Sequence, residues 1–239
     1  KYGTVLYPIL ISVVIAGLIF AQPDLGTTII YSIIVATIFF MAPISKEIRN
    51  KVLWIIMGGI VIMSLVLVGG GSSLLTERQK ERFDFSNPCS TEKFYGKGNQ
   101  VCNGYIAINN GKLLGVGLGN STQKYLYLPE AHTDFIFAII CEEFGLIGGL
   151  LVIGVFLYIV IEAVKISLHV DNKYLKFLSL GIGLSLFTQV FINIGVVIGL
   201  LPVTGITLPI LSYGGSSLVL TLMFLGLIIN ISQYTEEVR

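Results

Sequence analysis

Residues 177–235 read FLSLGIGLSLFTQVFINIGVVIGLLPVTGITLPILSYGGSSLVLTLMFLGLIINISQYT, and across that length there is no Asp, Glu, Lys or Arg. A bilayer core is crossed by about 20 apolar helical residues, so this run is long enough for two crossings. It divides at Leu201-Pro202-Val203-Thr204-Gly205, where proline and glycine favour a turn. The rest of the chain repeats the pattern. Apolar stretches at 4–22, 25–44, 52–69 and 134–161 join 177–200 and 215–232 to make six expected spans.

Composition points the same way: 54% of the 239 residues are hydrophobic and 12% are charged, against about a quarter charged in a soluble domain. No strand-like alternation is long enough for a membrane barrel, and no repeat of solenoid period occurs. The expected fold is therefore all-α, a polytopic transmembrane helical bundle. It is read as a single transmembrane domain over 1–239 with a long extracellular loop at 70–133. A net charge of +1 gives no field that recruits nucleic acid. Charge placement is more informative. The short segments 45–51 and 162–176 hold Lys46, Arg49, Lys51, Lys165, Lys173 and Lys176, which marks them as cytoplasmic. Both termini then lie inside and the 70–133 loop outside, because long loops translocate whatever their charge. The first apolar run lacks the basic leader and small-residue cleavage site of a signal peptide. Lys1 opens almost directly onto a span, so a portion of a longer protein is expected.

Loops as long as 70–133 tend to be functional or disordered. Turn-forming and apolar punctuation at 82–88, 104–111 and 115–120 reads as order. Cys89 and Cys102 share this loop, whereas Cys141 falls in a span. Outside the cell the pair can form a disulfide, and two free thiols fit the sequence equally well.

Several polar groups interrupt the apolar pattern. Asp24, after Pro23, can cap the second span. Leu128-Pro129-Glu130-Ala131-His132-Thr133-Asp134-Phe135-Ile136-Phe137-Ala138 puts a carboxylate at the start of the fourth span. Asp134 reads either as a helix cap, favoured by the positive helix end, or as a partly desolvated general base that takes a proton from a sugar hydroxyl. His132 makes no catalytic triad, since no nucleophile elbow accompanies it. Glu142 and Glu143 follow, about 12 Å deeper on a straight helix. Acids inside a membrane are functional candidates, with bonding to helix ends or cations as the structural alternative. Upstream, Gln123 and Lys124 offer an amide and a cation; the lysine suits a diphosphate or simply snorkels. Gly115, Gly117 and Gly119 lack the strand context of a dinucleotide fingerprint. Between Leu201 and Ser217, two prolines and a Gly-Gly pair imply non-helical backbone near membrane depth. That means either a polar cavity or close packing through small residues. No His, Cys and carboxylate cluster has the spacing of a metal site.

Taken in order, Gln22-Pro23-Asp24-Leu25-Gly26-Thr27, Gly117 through Lys124, Leu128 through Ala138, Glu142-Glu143-Phe144-Gly145 and Leu208 through Ser217 resemble the SEDS family (shape, elongation, division and sporulation). Ala131-His132-Thr133-Asp134 and Asn120-Ser121 are closer to its division-type FtsW branch than to its elongation-type RodA branch. The resemblance implies a peptidoglycan glycosyltransferase that polymerises lipid II into a lipid-linked glycan outside the cytoplasmic membrane, alongside a class B penicillin-binding transpeptidase. It implies Asp134 as the general base. Lys124, Gln123 and Arg82 would contact diphosphate or sugar, and Glu142, Ser212 and Ser216 would line or support the cavity. No protein-held cofactor is implied, though Mg²⁺ could arrive with the diphosphate. Family members have ten spans, so the six here correspond to the later ones, and the segment between Cys89 and Cys102 departs from the family pattern. A lipid II flippase and a non-catalytic division scaffold remain as alternatives. The first is motivated by Glu142 and Glu143 within the membrane and by the broken span near Gly214.

Overall fold

The computed structural model describes residues 3–22, 25–42, 44–54, 88–90 and 98–237. Asp24, Arg82 and nearly all of the third expected span, 52–69, lie outside these. Every regular element among the described residues is helical. Packing divides the chain into two compact units, Lys1–Asp84 and Phe85–Arg239.

In the first unit, α1 (Gly3–Ala21) packs against α2 (Leu25–Met41), and a third helix, α3, is described over 46–54. Apolar residues cover α1 and α2 on all sides, with Tyr7, Leu10, Val13 and Leu18 exposed. A helix that is apolar all round belongs in lipid or a large core. The basic stretch beyond α2 carries an exposed Glu47–Lys51 pair one helical turn apart.

The second unit holds α4 (Gly98–Gly111), the short α5 (Gln123–Leu126), α6 (Ile136–His169), α7 (Lys173–Val197) and α8 (Gly215–Glu237). Three of these, at 136–169, 173–197 and 215–234, are long and apolar enough to cross a membrane. The apolar stretch of α7 is 67% buried against 17% for α6 and α8, which makes α7 the central helix. Small residues let it approach α6: Ser179 Oγ donates to the Ala163 carbonyl at 2.9 Å, and a β-carbon on Gly183 would sit 3.1 Å from that of Ala163. Ile182, Leu186 and Ile228 complete this contact.

Two sequence expectations change. The fourth span does not stop near 161 with a loop to 176; α6 runs on to His169, and only 170–172 connect it to α7, where Asn172 caps the helix by accepting from Tyr174 N at 2.9 Å. Nor is α6 one rod. Gly145 has φ 70° and ψ −169°, which breaks the helix into arms 136–144 and 146–169. A β-carbon on Gly149 would lie 2.8 Å from Cys141 Sγ and 3.4 Å from Phe137 Cζ. Residues twelve apart on a straight helix are about 18 Å apart, so the arms fold back on one another. The longer arm alone, about 36 Å by its rise, crosses a core of about 30 Å.

The fold-back frees backbone groups that the outer loop satisfies. Val116 N and Gly117 N donate to the Glu142 and Glu143 carbonyls at 2.9 and 3.0 Å, while Leu146 N donates to the Lys112 carbonyl at 2.9 Å. Buried backbone groups need such partners, and the approach is close enough that a β-carbon on Gly145 would fall 2.3 Å from the Leu113 carbonyl oxygen. The described part of the loop, chiefly 98–133, is ordered, as the punctuation at 104–111 and 115–120 implied, while most of 82–88 lies outside the described residues; the ordered part holds an unexpected helix in α4. Its mixed sequence, GNQVCNGYIAINNG, buries Val101, Cys102, Asn103, Gly104, Ala107 and Gly111. Cys89 and Cys102 form a disulfide that anchors it, leaving Cys141 as the free, buried thiol among the described residues.

Candidate functional site

Arm 136–144 carries acid at both ends. At the Gly145 end, Glu142 is buried and accepts from Asn110 Nδ2 at 3.2 Å, Thr122 Oγ1 at 3.1 Å, the Thr122 and Gln123 amides at 3.4 Å each, and Ser121 Oγ. Beside it, Glu143 Oε1 binds Lys124 Nζ at 2.5 Å. That hydrogen bond is the main reason the Lys124 ammonium holds its proton above the ordinary lysine range. Lys124 also lies over the Tyr125 ring, 5.0 Å from its centre. Gln123 is buried, with Oε1 unpartnered among the described residues. The straight-helix reading placed the two glutamates about 12 Å into the membrane. The fold-back at Gly145 removes that depth: they sit on the short arm, clasped by the loop.

At the other end lies Asp134. The capping reading does not hold, because the position before the first helical turn is Phe135 and no side chain caps it. Thr133 Oγ1 instead bonds Glu130 Oε2 at 2.7 Å. The Asp134 carboxylate is half-buried and, among the described residues, accepts no hydrogen bond; its pKa is raised by burial first and by the Glu130 charge second.

The backbone around Asp134 is held firmly. His132 O accepts from Tyr213 N at 2.8 Å, Thr133 O from Ser212 Oγ at 2.7 Å, and Asp134 O from Asn193 Nδ2 at 2.7 Å. Ser212 Oγ also accepts from Leu208 N at 2.7 Å, and the His132 and Tyr213 rings meet edge to face. These bonds dock the 128–138 turn onto the non-helical 201–214 segment, whose Ile210 is held at φ 66°, a rare conformation for a β-branched residue. Gly205 faces the acid: a β-carbon there would be 3.5 Å from Asp134 Oδ2.

The sequence-derived candidates therefore separate. Gln123, Lys124 and Glu142 gather at one end of the arm, and Asp134 and Ser212 at the other. Ser216 is exposed in the first turn of α8, and Arg82 is outside the described residues. Sequence reasoning missed Asn193 and the loop donors Asn110 and Ser121. The signal for Asn193 was there, a lone amide in the apolar stretch FINIGVVIGL. Between arm 146–169 and α7 there is also an apolar cavity of about 260 Å³, lined by Phe156, Val160, Phe187, Phe191, Gly195 and Leu201 among others, with Asp134 outside it.

The chain is 40% identical over 232 residues to a probable peptidoglycan glycosyltransferase FtsW of Bacillus subtilis, covering 96% of this chain and 57% of that protein. It is 42% identical over 220 residues to stage V sporulation protein E of the same organism, covering 92% and 57%. Its fold superposes with a TM-score of 0.71, at 25% identity, on a chain of a peptidoglycan synthase complex solved for its coordination of polymerization and crosslinking, covering 95% of this chain and 61% of that one. The chain thus spans less than two thirds of these relatives. With the FtsW/RodA/SpoVE model for cell cycle proteins matching residues 1–237, this membrane protein belongs to that family, the SEDS proteins.

Proposed function

We propose that this chain carries the chemistry of a peptidoglycan glycosyltransferase that polymerises lipid II in division or septal wall synthesis. It works at the outer face of a bacterial cytoplasmic membrane, with both ends of the chain inside. Asp134 takes the proton from the acceptor 4-hydroxyl as that oxygen attacks the anomeric carbon of the lipid-linked donor. The anomeric bond to the diphosphate breaks, and undecaprenyl diphosphate leaves with the bonding electron pair. The observation that carries this reading is the state of Asp134: half-buried, unpartnered, with a raised pKa and a rigidly held backbone. A general base needs a free lone pair and a pKa moved toward the working pH.

Lys124 and Gln123 would meet the diphosphate or a sugar, Lys124 by sharing its charge with Glu143, and Arg82 would assist them. Glu142 would support the loop, Ser212 would support the site around Asp134 through the Thr133 carbonyl, and Ser216 would line it. The apolar space between the longer arm of α6 and α7 suits an isoprenoid chain. A divalent cation such as Mg²⁺ would arrive with the diphosphate. A class B penicillin-binding transpeptidase is the expected partner, in line with the synthase complex that the fold matches. The flippase reading rested on Glu142 and Glu143 within the membrane and on the broken span near Gly214; the loop donors around both acids weaken the first ground and favour transfer over transport.

The test is lipid II polymerisation by the purified full-length parent. Wild type should extend glycan strands and Asp134→Asn should not; polymerisation retained by Asp134→Asn would contradict the assignment.

A further inference from the structure

Asn193 lies toward the outer end of α7 and is 1% exposed. Its amide nitrogen donates twice, to the carbonyls of Asp134 and Ile206, both at 2.7 Å, while its oxygen is buried without a partner among the described residues. The cost of this arrangement is one orphan buried acceptor, which a leucine of similar volume would not bring. Leucine could not, however, hold two carbonyls.

Those carbonyls belong to the two segments that face each other at the site. One is on the turn that bears Asp134. The other is on the 201–214 segment, one residue beyond Gly205, the residue that abuts Asp134 Oδ2. Thr204 Oγ1, on the same stretch, is also buried and unpartnered. Ser212 ties the neighbouring Thr133 carbonyl to this segment from its far end. Asn193 is the tie that acts on Asp134 itself.

We infer that Asn193 is a positioning residue for Asp134: by clamping the Asp134 and Ile206 carbonyls with one amide, it fixes the carboxylate against the Gly205 wall. Asn193 acts through the main chain and does not touch substrate. The inference rests on the glycosyl transfer proposed above.

The test uses the full-length parent in a lipid II polymerisation assay, with kcat, KM and Tm measured for Asn193→Leu, Asn193→Gln and Asp134→Asn. A misplaced catalytic group can cost about 10²-fold. Asn193→Leu should therefore lose about 10²-fold in kcat and keep KM within about threefold at a temperature where it is fully folded, while melting lower because two carbonyls lose their donor. Asn193→Gln, which keeps both donor hydrogens, should recover at least about tenfold over Asn193→Leu. Should Asn193→Leu fail to fold, Asn193→Ser, too short to bridge both carbonyls, carries the same expectation. A kcat within about threefold of wild type, or a loss that Asn193→Gln does not recover at a temperature where both variants are folded, would overturn the inference. An active Asp134→Asn would overturn the transfer reaction beneath it instead.

Discussion

At one end of the short arm 136–144, Glu142 accepts hydrogen bonds from Asn110, Ser121, Thr122 and Gln123; at the other, Asp134 accepts none among the described residues. The two carboxylates are separated by little more than two helical turns, and both lie against the same outer loop and its flanking turn. What differs is the use of their lone pairs. Around Glu142 the loop is built on the carboxylate, so the acid is part of the scaffold. Around Asp134 the protein grips the backbone carbonyls and leaves the side chain free. The contrast separates an acid that holds structure from one available to react.

The largest stability effect expected is at Glu142. Glu142→Leu strands five donor groups on four loop residues and should cost about 3 kcal/mol, read as a fall in Tm of the purified full-length protein. If Tm is unchanged, the loop does not depend on this carboxylate. Gly145→Ala comes next. Its φ and ψ are available essentially to glycine alone, and a β-carbon would meet the Leu113 carbonyl. A cost of about 1–3 kcal/mol is expected, with faster amide exchange at Val116 and Gly117, whose bonds to arm 136–144 depend on the fold-back. A neutral result would mean that α6 can run straight.

The smallest effect sharpens the Asp134 side. Activity needs the carboxylate ionised, so the acid limb of the pH–rate profile follows its pKa, which burial raises most and the Glu130 charge raises further. Glu130→Gln should move that limb to lower pH by less than burial contributes, while the Gln carbonyl keeps the Thr133 hydrogen bond. An unmoved limb would mean that another group governs it. The same shift sets a stability sign. A carboxyl whose folded pKa lies above its unfolded value binds its proton more tightly when folded, so the ionised form weakens the fold as pH rises through that window. At neutral pH Asp134→Asn should therefore raise Tm.

Much of this was legible in the chain. Charge-free runs set the spans, and proline and glycine between Leu201 and Ser217 marked the broken segment that receives Asp134. Asp134 stood out as an acid at the start of an apolar helix, which fitted a cap as well as a base, and the family resemblance favoured the base. The Gly145 hinge was hidden, since glycine within an apolar run is common in membrane helices, and its φ is imposed by a loop thirty residues away in sequence. Depth counted along a straight helix then misplaced Glu142 and Glu143. Helix α4 was hidden for a related reason: its polar and glycine residues have low helix propensity, and the disulfide and tertiary burial hold it.

The most direct test puts both acids in one experiment: lipid II polymerisation and Tm, at pH 7 on the same preparations, for Asp134→Asn and Glu142→Gln in the full-length parent. The account predicts that Asp134→Asn loses about 10²–10⁴-fold in rate and melts no lower than wild type, while Glu142→Gln melts lower and loses activity only in step with its fold. An Asp134→Asn protein that polymerises near the wild-type rate, or that fails because it unfolds, would contradict it.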